Sequence, residues 1–331
     1  ADVDVGLLIS GGVDSTIIAS LVREKVGSEK KIFAYSYSSG DKDDESDFAK
    51  TISDRLNINT KFLKQDYDSK KYILRLKNIV KNLGRGHSSP AIISIDYLYE
   101  EARKDGLKVI LDGQGADELL GGYKQYFVHI IFEQLSKFHL KQAYLNFKAL
   151  MNVGSPGVFI VLVLSIKDNL PSIIKKMMRT IYGYEKIISS RKFSKDNNIL
   201  NISFEKKSSN NFVNRHLINQ HANGLENLLY YGDIVAMKNS VENRSPFMDH
   251  KLIEFVFKSD EYLKVYNGIE KYVLRKSEHY EKFSDILNRD KIGFSSNIRY
   301  ETKELMIKEL TNSPILDWPI FKKKNIKNWI L

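Results

Sequence analysis

The sequence contains no cysteine, six prolines, two tryptophans and no long uninterrupted apolar stretch. The lack of cysteine excludes disulfides, thiolate metal sites and cysteine nucleophiles, and it makes a cytoplasmic location the natural expectation. The strongest apolar run, residues 158–165, is far shorter than the ~20 residues that a membrane span needs. We therefore expect no membrane span and no signal peptide, and we assign this run to a buried or interfacial helix.

Positive charge is present but is not concentrated in blocks. The net charge of +10 comes from 51 Lys and Arg against 41 Asp and Glu, and lysines adjoin only in short runs such as residues 175–176 and 322–324. This distribution fits an anionic substrate as well as it fits a nucleic-acid partner. With 42% hydrophobic and 28% charged residues in a chain of 331, the composition indicates a globular protein of one large or two fused domains.

The most informative stretch lies near the beginning of the chain. Residues 5–9 are apolar and β-prone, which predicts a buried parallel strand, and residues 16–22 show helical spacing. The turn between them is formed by Ser10, Gly11, Gly12, Val13, Asp14 and Ser15. Glycines allow a ligand to approach, and a helix start offers N–H groups, so we predict a phosphate site. Because Asp14 would repel a phosphate, we also expect a bridging Mg²⁺; a plain glycine turn with Asp14 as helix cap is the alternative.

Strands and helices alternate over the first third of the chain. Strand-like segments at residues 31–37, 59–63 and 108–111 are separated by helical patterns, which predicts an α/β fold with a doubly wound parallel sheet. From about residue 126 the pattern becomes mostly helical, with irregular pieces at residues 154–157 and 189–211. We therefore predict a core at residues 1–125, a divergent helical region or insertion at 126–225, and a helical part at 226–331.

A second glycine-rich stretch follows the strand at residues 108–111. It contains Asp112, Gly113, Gln114, Asp117 and Glu118, and four glycines lie between residues 113 and 122. Clustered acids repel one another unless a cation offsets their charge. Asp14 and Asp117 both follow strands that we expect to be neighbours, so a shared Mg²⁺–phosphate site explains both. The structural alternative is a flexible loop that leads into a capped helix.

Three further segments, residues 240–250, 268–275 and 289–295, are weak signals individually. Together with the two glycine-rich stretches, in this order, they resemble the synthetase domain of glutamine-dependent asparagine synthetase, within the ATP pyrophosphatase (PP-loop) superfamily. The matching residues are 10–15, 117–118, 242–249, 271–275 and 289–294, whereas residues 126–225 match poorly. The resemblance implies a Rossmann-like, adenine nucleotide α-hydrolase-like sheet and a ligase that uses ATP and Mg²⁺. The implied reaction is amidation of a carboxylate, aspartate in the main members, through an acyl-adenylate, with release of pyrophosphate and AMP.

The resemblance also implies roles for individual residues. Asp14 and Asp117 would hold Mg²⁺, and Lys271 would stabilise the transition state at phosphorus. Gln114, Glu242 and Asp117 join Lys271 as candidate catalytic residues, with Glu242 and Arg244 orienting the substrate or the loop beneath it. The remaining candidates bind the nucleotide: Ser10, Gly11, Gly12 and Ser15 at the pyrophosphate, Leu8, Leu111, Asp112 and Gly113 at the adenine, and Arg244 and Arg275 elsewhere in the cofactor site.

Two departures from the family bear on the substrate and the partner. Gln114 stands where asparagine-forming members place glutamate and β-lactam-forming relatives place tyrosine, which leaves a non-aspartate acceptor such as a sugar carboxylate open. The family's glutaminase domain begins with a cysteine nucleophile, and residues 2–6 look like the junction that follows that domain. We therefore expect a missing N-terminal glutaminase domain as the normal source of ammonia.

Two rival functions remain. A tRNA-modifying enzyme with the same phosphate loop would fit the basic charge, although such enzymes often use cysteine sulfur and lack the segments around Asp117 and Glu242. A non-catalytic nucleotide-binding scaffold is supported only by Gln114. We expect a small carboxylate and ammonia as partners and neither nucleic acid nor membrane; the oligomeric state stays open, with a homodimer as one option.

Overall fold

The structure is a computed structural model and describes residues 3–38, 45–64, 68–84, 91–123, 125–151, 224–289, 298 and 300–313. Several features of the sequence lie outside these residues: the irregular pieces at 154–157 and 189–211, the apolar run at 158–165, the lysine clusters at 175–176 and 322–324, and residues 290–295. The chain divides into two compact units, one of residues 1–154 and 208–297 and the other of residues 155–207 and 298–331. The sheet and the candidate site belong to the first unit.

A five-stranded parallel sheet forms the centre of the first unit. Its strands are β1 (Val5–Leu8), β2 (Phe33–Ser38), β3 (Asn59–Lys64), β4 (Val109–Leu111) and β5 (Glu242–Arg244), in the spatial order β3-β2-β1-β4-β5. Leu7 is opposite Ala34 on one side and Leu111 on the other. The chain leaves β1 toward β2 and later returns to its other side as β4. This reversal of strand order beside β1 is where such sheets bind ligands, at the carboxyl ends of the strands.

Helices surround the sheet in the first unit. They are α1 (Val13–Val26), α2 (Ser46–Arg55), α3 (Ser69–Leu83), α4 (Ile92–Lys104), α5 (Ala116–Leu120), α6 (Gln125–Ser136), α7 (Leu140–Met151), α8 (Glu226–Lys238), α9 (His250–Lys258), α10 (Tyr272–Arg275), α11 (Glu278–Glu281) and α12 (Ser284–Leu287). Two short strands, β6 (Val265–Tyr266) and β7 (Ile269–Glu270), form an antiparallel hairpin before α10. The second unit contributes α13 (Tyr300–Thr311). None of the described helices is long and apolar enough to cross a bilayer.

The inner strands are largely buried, as is typical of parallel sheets, whose faces are covered by helices. Leu7, Ala34 and Ile110 are at most 1% exposed, and each fully buried aliphatic side chain stabilises the fold by about 1.5–3 kcal/mol. Residues 5–9 were predicted to form such a strand, and β1 confirms the prediction apart from its last residue. The predicted parallel α/β sheet is likewise confirmed.

The strand β5 lies within the C-terminal part of the chain, which was expected to be mostly helical, and no strand was predicted there. Glu242 and Arg244 are exposed on this edge strand, so their sequence lacks the apolar alternation that signals a strand. Backbone pairing of β5 with β4 holds it in place. This part of the chain therefore completes the sheet.

A buried ionic cluster fixes the helix that leads into β5. Asp96 on α4 is fully buried and lies 2.6 Å from Arg75 Nε of α3 and 2.8 Å from Lys238 Nζ of α8. Asn239 donates a further hydrogen bond to it at 2.8 Å. Since an unpaired buried carboxylate would be costly, this cluster ties α8 to α3 and α4 and sets where β5 starts.

Candidate functional site

The predicted strand–turn–helix junction is present at residues 10–15, called here the serine-glycine turn. Gly12 precedes the first residue of α1 in an extended conformation, and Gly11 has φ +79°. A Cβ on Gly11 would lie 2.9 Å from the backbone nitrogen of Ala49, so only glycine fits. The first N–H groups of α1 have no partner within the helix and point out of its start beside the turn. Asp14 lies in the first helical turn rather than at the capping position.

The two serines of the turn fix its shape from inside. The Ser15 hydroxyl accepts the Ser10 N–H at 3.2 Å and contacts the Ser10 hydroxyl at 3.1 Å. Thr16 donates its hydroxyl proton to the Gly12 carbonyl at 2.7 Å. These bonds hold the turn open at the end of β1, where the donors predicted for pyrophosphate would be needed.

Arg289 is a contact of this turn to which sequence reasoning gave no role. Its guanidinium donates hydrogen bonds to the Gly11 carbonyl at 3.2 Å and to Glu45 at 2.7 Å, and it lies 4.1 Å from the centre of the Phe48 ring. The signal was present, because Arg289 opens one of the five segments that carry the family resemblance. The arginine thus braces the turn against the start of α2.

Lys271 joins the two acids that the sequence placed at neighbouring strand ends. Its ammonium lies 2.6 and 2.8 Å from the carboxylate oxygens of Asp14 and 2.8 Å from Asp117 Oδ1. Lys271 itself is only 4% exposed. Burial disfavours its charged form, but the two carboxylates outweigh burial and raise the pKa of Lys271 above its usual value. We call these three residues the lysine–aspartate cluster.

Glycines allow the elements of this cluster to approach one another. A Cβ on Gly122 would lie 1.9 Å from Asp117 Oδ1 and 2.3 Å from Lys271 Cε. A Cβ on Gly113 would lie 3.1 Å from the Cβ of Asp14. Gly113 and Gly122 therefore reflect close packing around the charged side chains.

Asp117 and Glu118 sit on the short helix α5, but their environments differ. Glu118 is 7% exposed and accepts a hydrogen bond from the Tyr123 hydroxyl at 2.7 Å. Burial raises the pKa of Glu118, and the Tyr123 hydrogen bond opposes this only in part. The same burial, with the Glu118 charge, raises the pKa of Tyr123. Glu118 thus faces Tyr123, while Asp117 faces Lys271.

Asp112 is buried at the end of β4 and accepts three hydrogen bonds. Its donors are the Ser245 hydroxyl at 2.6 Å, the Asn243 amide at 2.8 Å and the Gln114 N–H at 3.1 Å. Burial raises the pKa of Asp112, and these three donors counteract the shift. Gln114 therefore lies two residues after a carboxylate that is held by Asn243 and Ser245.

Two other predicted site residues end adjacent strands of the sheet, and a third, Arg275, makes its hydrogen bonds to residues outside the lysine–aspartate cluster. Leu8 and Leu111, predicted to line the adenine pocket, end the adjacent strands β1 and β4 and are half-buried. Arg275 donates hydrogen bonds to the carbonyl and the carboxylate of Glu270 at 3.1 Å and to the Tyr280 hydroxyl at 2.8 Å.

Glu242 and Arg244 are not brought into the lysine–aspartate cluster by any described contact. Arg244 Nε donates to Glu242 Oε1 at 2.7 Å, and both side chains are more than half exposed. An ion pair this exposed contributes little to stability. Their predicted role in orienting substrate remains a prediction.

The residues at the switch point fit a nucleotide and its divalent cation. The serine-glycine turn and the start of α1 supply N–H and hydroxyl donors. Gly12 leaves room next to these donors, because a Cβ built on it would lie 3.3 Å from Ser10 Oγ. Asp14 and Asp117 supply carboxylate oxygens, the ligand type that Mg²⁺ prefers. Fold and site together define an α/β protein with a serine-glycine turn at a helix start and an acid–lysine cluster at the carboxyl end of a parallel sheet.

Comparison with known proteins places the chain more narrowly. The model of the family described as asparagine synthase matches residues 1–327, so the chain belongs to the asparagine synthase family. It is 29% identical to asparagine synthetase [glutamine-hydrolyzing] 1 of Bacillus subtilis over 92% of this chain and 48% of that protein. It is 31% identical to a putative asparagine synthetase of Mycobacterium tuberculosis over 38% of this chain and 19% of that protein.

A relative with a different name is also similar over nearly the whole chain. The amidase chyE of Penicillium rubens is 24% identical over 96% of this chain and 54% of that protein. The chain thus spans about half the length of both this amidase and the Bacillus subtilis protein, each of which matches more than nine-tenths of it.

Proposed function

We propose that this chain is the synthetase part of a glutamine-dependent amidating ligase, which uses ATP to convert a carboxylate into an amide through an acyl-adenylate. The observation that carries the proposal is the lysine–aspartate cluster, in which Lys271 lies within 2.8 Å of both Asp14 and Asp117. A cluster of this charge beside an anion-binding turn suits the departure of pyrophosphate, and it occurs in a chain of the asparagine synthase family.

The reaction needs two displacements. A carboxylate oxygen of the acceptor attacks the α-phosphorus of ATP, and the bond to the bridging oxygen breaks to release pyrophosphate. Ammonia then attacks the acyl carbon, AMP leaves with the bonding electrons, and the nitrogen loses a proton to give the neutral amide. Neither step requires a covalent bond to the protein, so the side chains contribute by binding and by electrostatics.

The charged residues have distinct tasks in the first displacement. Asp14 and Asp117 would hold Mg²⁺, which when bound offsets the negative charge that collects on the leaving pyrophosphate. Lys271 keeps its positive charge at neutral pH, because its pKa is raised, and it stabilises the crowded phosphorus as a point charge. The serine-glycine turn and the N–H groups at the start of α1 bind the pyrophosphate oxygens.

The acceptor and the ammonia source are the less defined parts of the proposal. Gln114 is uncharged and is a poor base, so it would bind acceptor or ammonia through its amide rather than remove a proton. Aspartate is the first acceptor to test, and a sugar carboxylate is the second. Ammonia would normally come from a glutaminase domain, since the bacterial relatives are named as glutamine-hydrolysing and this chain spans only 48% of the Bacillus subtilis protein.

A pyrophosphate-release screen tests the proposal. The chain is mixed with ATP, Mg²⁺ and ammonium, and carboxylic acids are added one at a time, beginning with aspartate. We expect pyrophosphate and AMP only with the correct acceptor; ADP and phosphate, or no turnover with any acid, would refute the proposal.

Two variants test the metal assignment within the same assay. Asp14→Asn should abolish pyrophosphate release without unfolding the protein, because it removes one carboxylate of the cluster. Asp68→Asn also removes an aspartate charge, but Asp68 is an exposed cap of α3 that accepts the Lys70 and Lys71 N–H groups at 2.9 Å. Asparagine serves equally well as a helix cap, so this control should keep full activity. Retained activity in Asp14→Asn would show that the metal assignment is wrong.

A further inference from the structure

Asp112 occupies an unusual position for a buried carboxylate. It is 5% exposed, and its three hydrogen-bond donors, on Ser245, Asn243 and Gln114, are all uncharged. Its own N–H donates to the Arg244 carbonyl at 3.1 Å, which extends the pairing of β4 with β5 by one residue. A buried charge without an opposite charge beside it is costly, and each donor that is lost would add to that cost.

The three donors come from two segments that are far apart in the chain. Asn243 lies on β5 and Ser245 directly follows it, and both are more than 130 residues from Asp112. Gln114 lies two residues after Asp112, and its N–H closes a tight side-chain turn at the start of residues 113–115. One carboxylate therefore joins the segment after β5 to the first turn of the loop that carries Gln114.

The loop at residues 113–115 has little freedom on its other sides. A Cβ on Gly113 would lie 3.3 Å from the Ser15 backbone nitrogen, which places the loop against the serine-glycine turn. A Cβ on Gly115 would lie 2.2 Å from Met248 Cε, on the turn Pro246–Met248. The loop is thus enclosed between α1 and the segment after β5, and α5 with Asp117 begins where it ends.

We infer that Asp112 is a positioning residue for amide formation: its carboxylate fastens the Gln114 loop to Asn243 and Ser245 and so sets Gln114 and Asp117 against the serine-glycine turn. The inference rests on the proposed function for the identity of the reaction. The side chain of Asp112 then binds residues of the protein itself, whereas the family resemblance implied that it lines the adenine pocket. Small errors in the placement of reacting groups cost on the order of 100-fold in rate.

The conservative variant Asp112→Asn separates these two roles. Asparagine keeps the size of the side chain, but one oxygen becomes an NH₂ group that faces the Asn243 amide or the Ser245 hydroxyl. The bonds to this side chain then lose their charge assistance and about half of their strength, and Asn243 or Ser245 has to reorient to accept a bond from the NH₂ group. A positioning role predicts a fall in kcat on the order of 100-fold, with the KM for ATP changed by less than about threefold. A nucleotide-binding role predicts a raised KM with a nearly unchanged kcat.

Two further measurements show whether the loop itself is loosened. Hydrogen exchange at residues 113–116 should become faster in Asp112→Asn but not in the control Asp68→Asn. Ser245→Ala removes one of the same bonds from the other side, so the double variant Asp112→Asn/Ser245→Ala should be no worse in kcat than Asp112→Asn. Independent effects that multiply would contradict the inference.

The remaining outcomes are also decisive. An unchanged kcat in Asp112→Asn would overturn the inference, as would a loss of kcat that only parallels a loss of folded protein; the milder Ser245→Ala keeps the test usable if Asp112→Asn does not fold. If the wild-type chain releases no pyrophosphate with any acid, the proposed function fails. Unchanged exchange at residues 113–116 would then refute the fastening role separately, and faster exchange would leave the fastening intact but remove its link to amide formation.

Discussion

Replacing Lys271 with methionine should remove the positive charge that lies between Asp14 and Asp117. The lysine is 4% exposed and its ammonium lies within 2.8 Å of both carboxylates, so its loss breaks both of these ion pairs. Removing one partner of a buried ion pair costs about 3–5 kcal/mol of stability. The two carboxylate side chains keep 18% and 15% of their exposure, so water reaches them. We therefore expect a loss near the lower end, about 3 kcal/mol.

Urea unfolding followed by circular dichroism measures this loss. The control is Lys50→Met, which breaks the exposed pair with Asp54 at 2.8 Å and should change stability little. Millimolar Mg²⁺ should restore part of the stability of Lys271→Met, because a divalent cation can screen the uncovered carboxylates. The same Mg²⁺ should have no such effect on the double variant Lys271→Met/Asp14→Asn, which lacks half of the acidic pair.

Two results would refute this reasoning. A Lys271→Met protein as stable as the wild type would show that the ammonium is not needed to hold the two carboxylates together. Equal stabilisation of Lys271→Met and Lys50→Met by Mg²⁺ would show that the cation acts elsewhere on the protein. The contribution of Lys271 should persist throughout the neutral range and disappear only at alkaline pH, above its ordinary lysine value, because its folded-state pKa is raised.

Two glycine substitutions and one lysine substitution give the remaining predictions. Gly122→Ala places a methyl group 1.9 Å from Asp117 Oδ1, so turnover and melting temperature should both fall. The control is Gly232→Ala on α8, whose methyl group meets nothing closer than 3.6 Å; this variant should be more stable by about 0.4–1 kcal/mol with unchanged turnover. Retained turnover in Gly122→Ala would contradict the packing of the cluster. Burial lowers the pKa of Lys264 to about 8 from 10.5, so between these pH values the unfolded chain binds more protons than the folded protein. The unfolding free energy of the wild type should therefore rise by about 3 kcal/mol relative to that of Lys264→Met as the pH rises from 8 to 10.5. A pH-independent difference in urea-unfolding free energy would contradict this.

The local features of the site could be predicted because they are short-range. The sequence of residues 5–16 contains an apolar strand, two glycines and a helical pattern, and each of these signals can be recognised from neighbouring residues. The strand β1 itself forms by pairing with the distant strands β2 and β4. Asp14 and Asp117 could be placed together because both follow parallel strands, and such strands end at the same edge of the sheet.

The contacts made by distant residues could not be predicted from spacing. Lys271 is 257 residues from Asp14, and Arg289 is 278 residues from Gly11. A lone lysine or arginine on a helix is usually a solvated charge, so only the family resemblance marked these segments. Their pairing with the turn depends on how α10 and the residues after α12 pack in the tertiary structure.

The family resemblance did not predict which side chains of the edge strand β5 point toward the candidate site. Glu242 and Arg244 were marked as candidates for orienting the substrate, and no strand was predicted for them. Their side chains are exposed and paired with each other at 2.7 Å, while the backbone pairs with β4. The side chains that reach toward Gln114 from this segment are the less conspicuous Asn243 and Ser245, through Asp112.

An isotope-transfer measurement tests the central claim most directly. The acceptor identified in the pyrophosphate screen is labelled with ¹⁸O in its carboxylate and is converted to the amide by the chain with ATP, Mg²⁺ and ammonium. Attack of the carboxylate on the α-phosphorus predicts one ¹⁸O atom in each AMP and none in pyrophosphate. Unlabelled AMP, or ADP with the label in inorganic phosphate, would contradict an acyl-adenylate at the site formed by Asp14, Asp117 and Lys271.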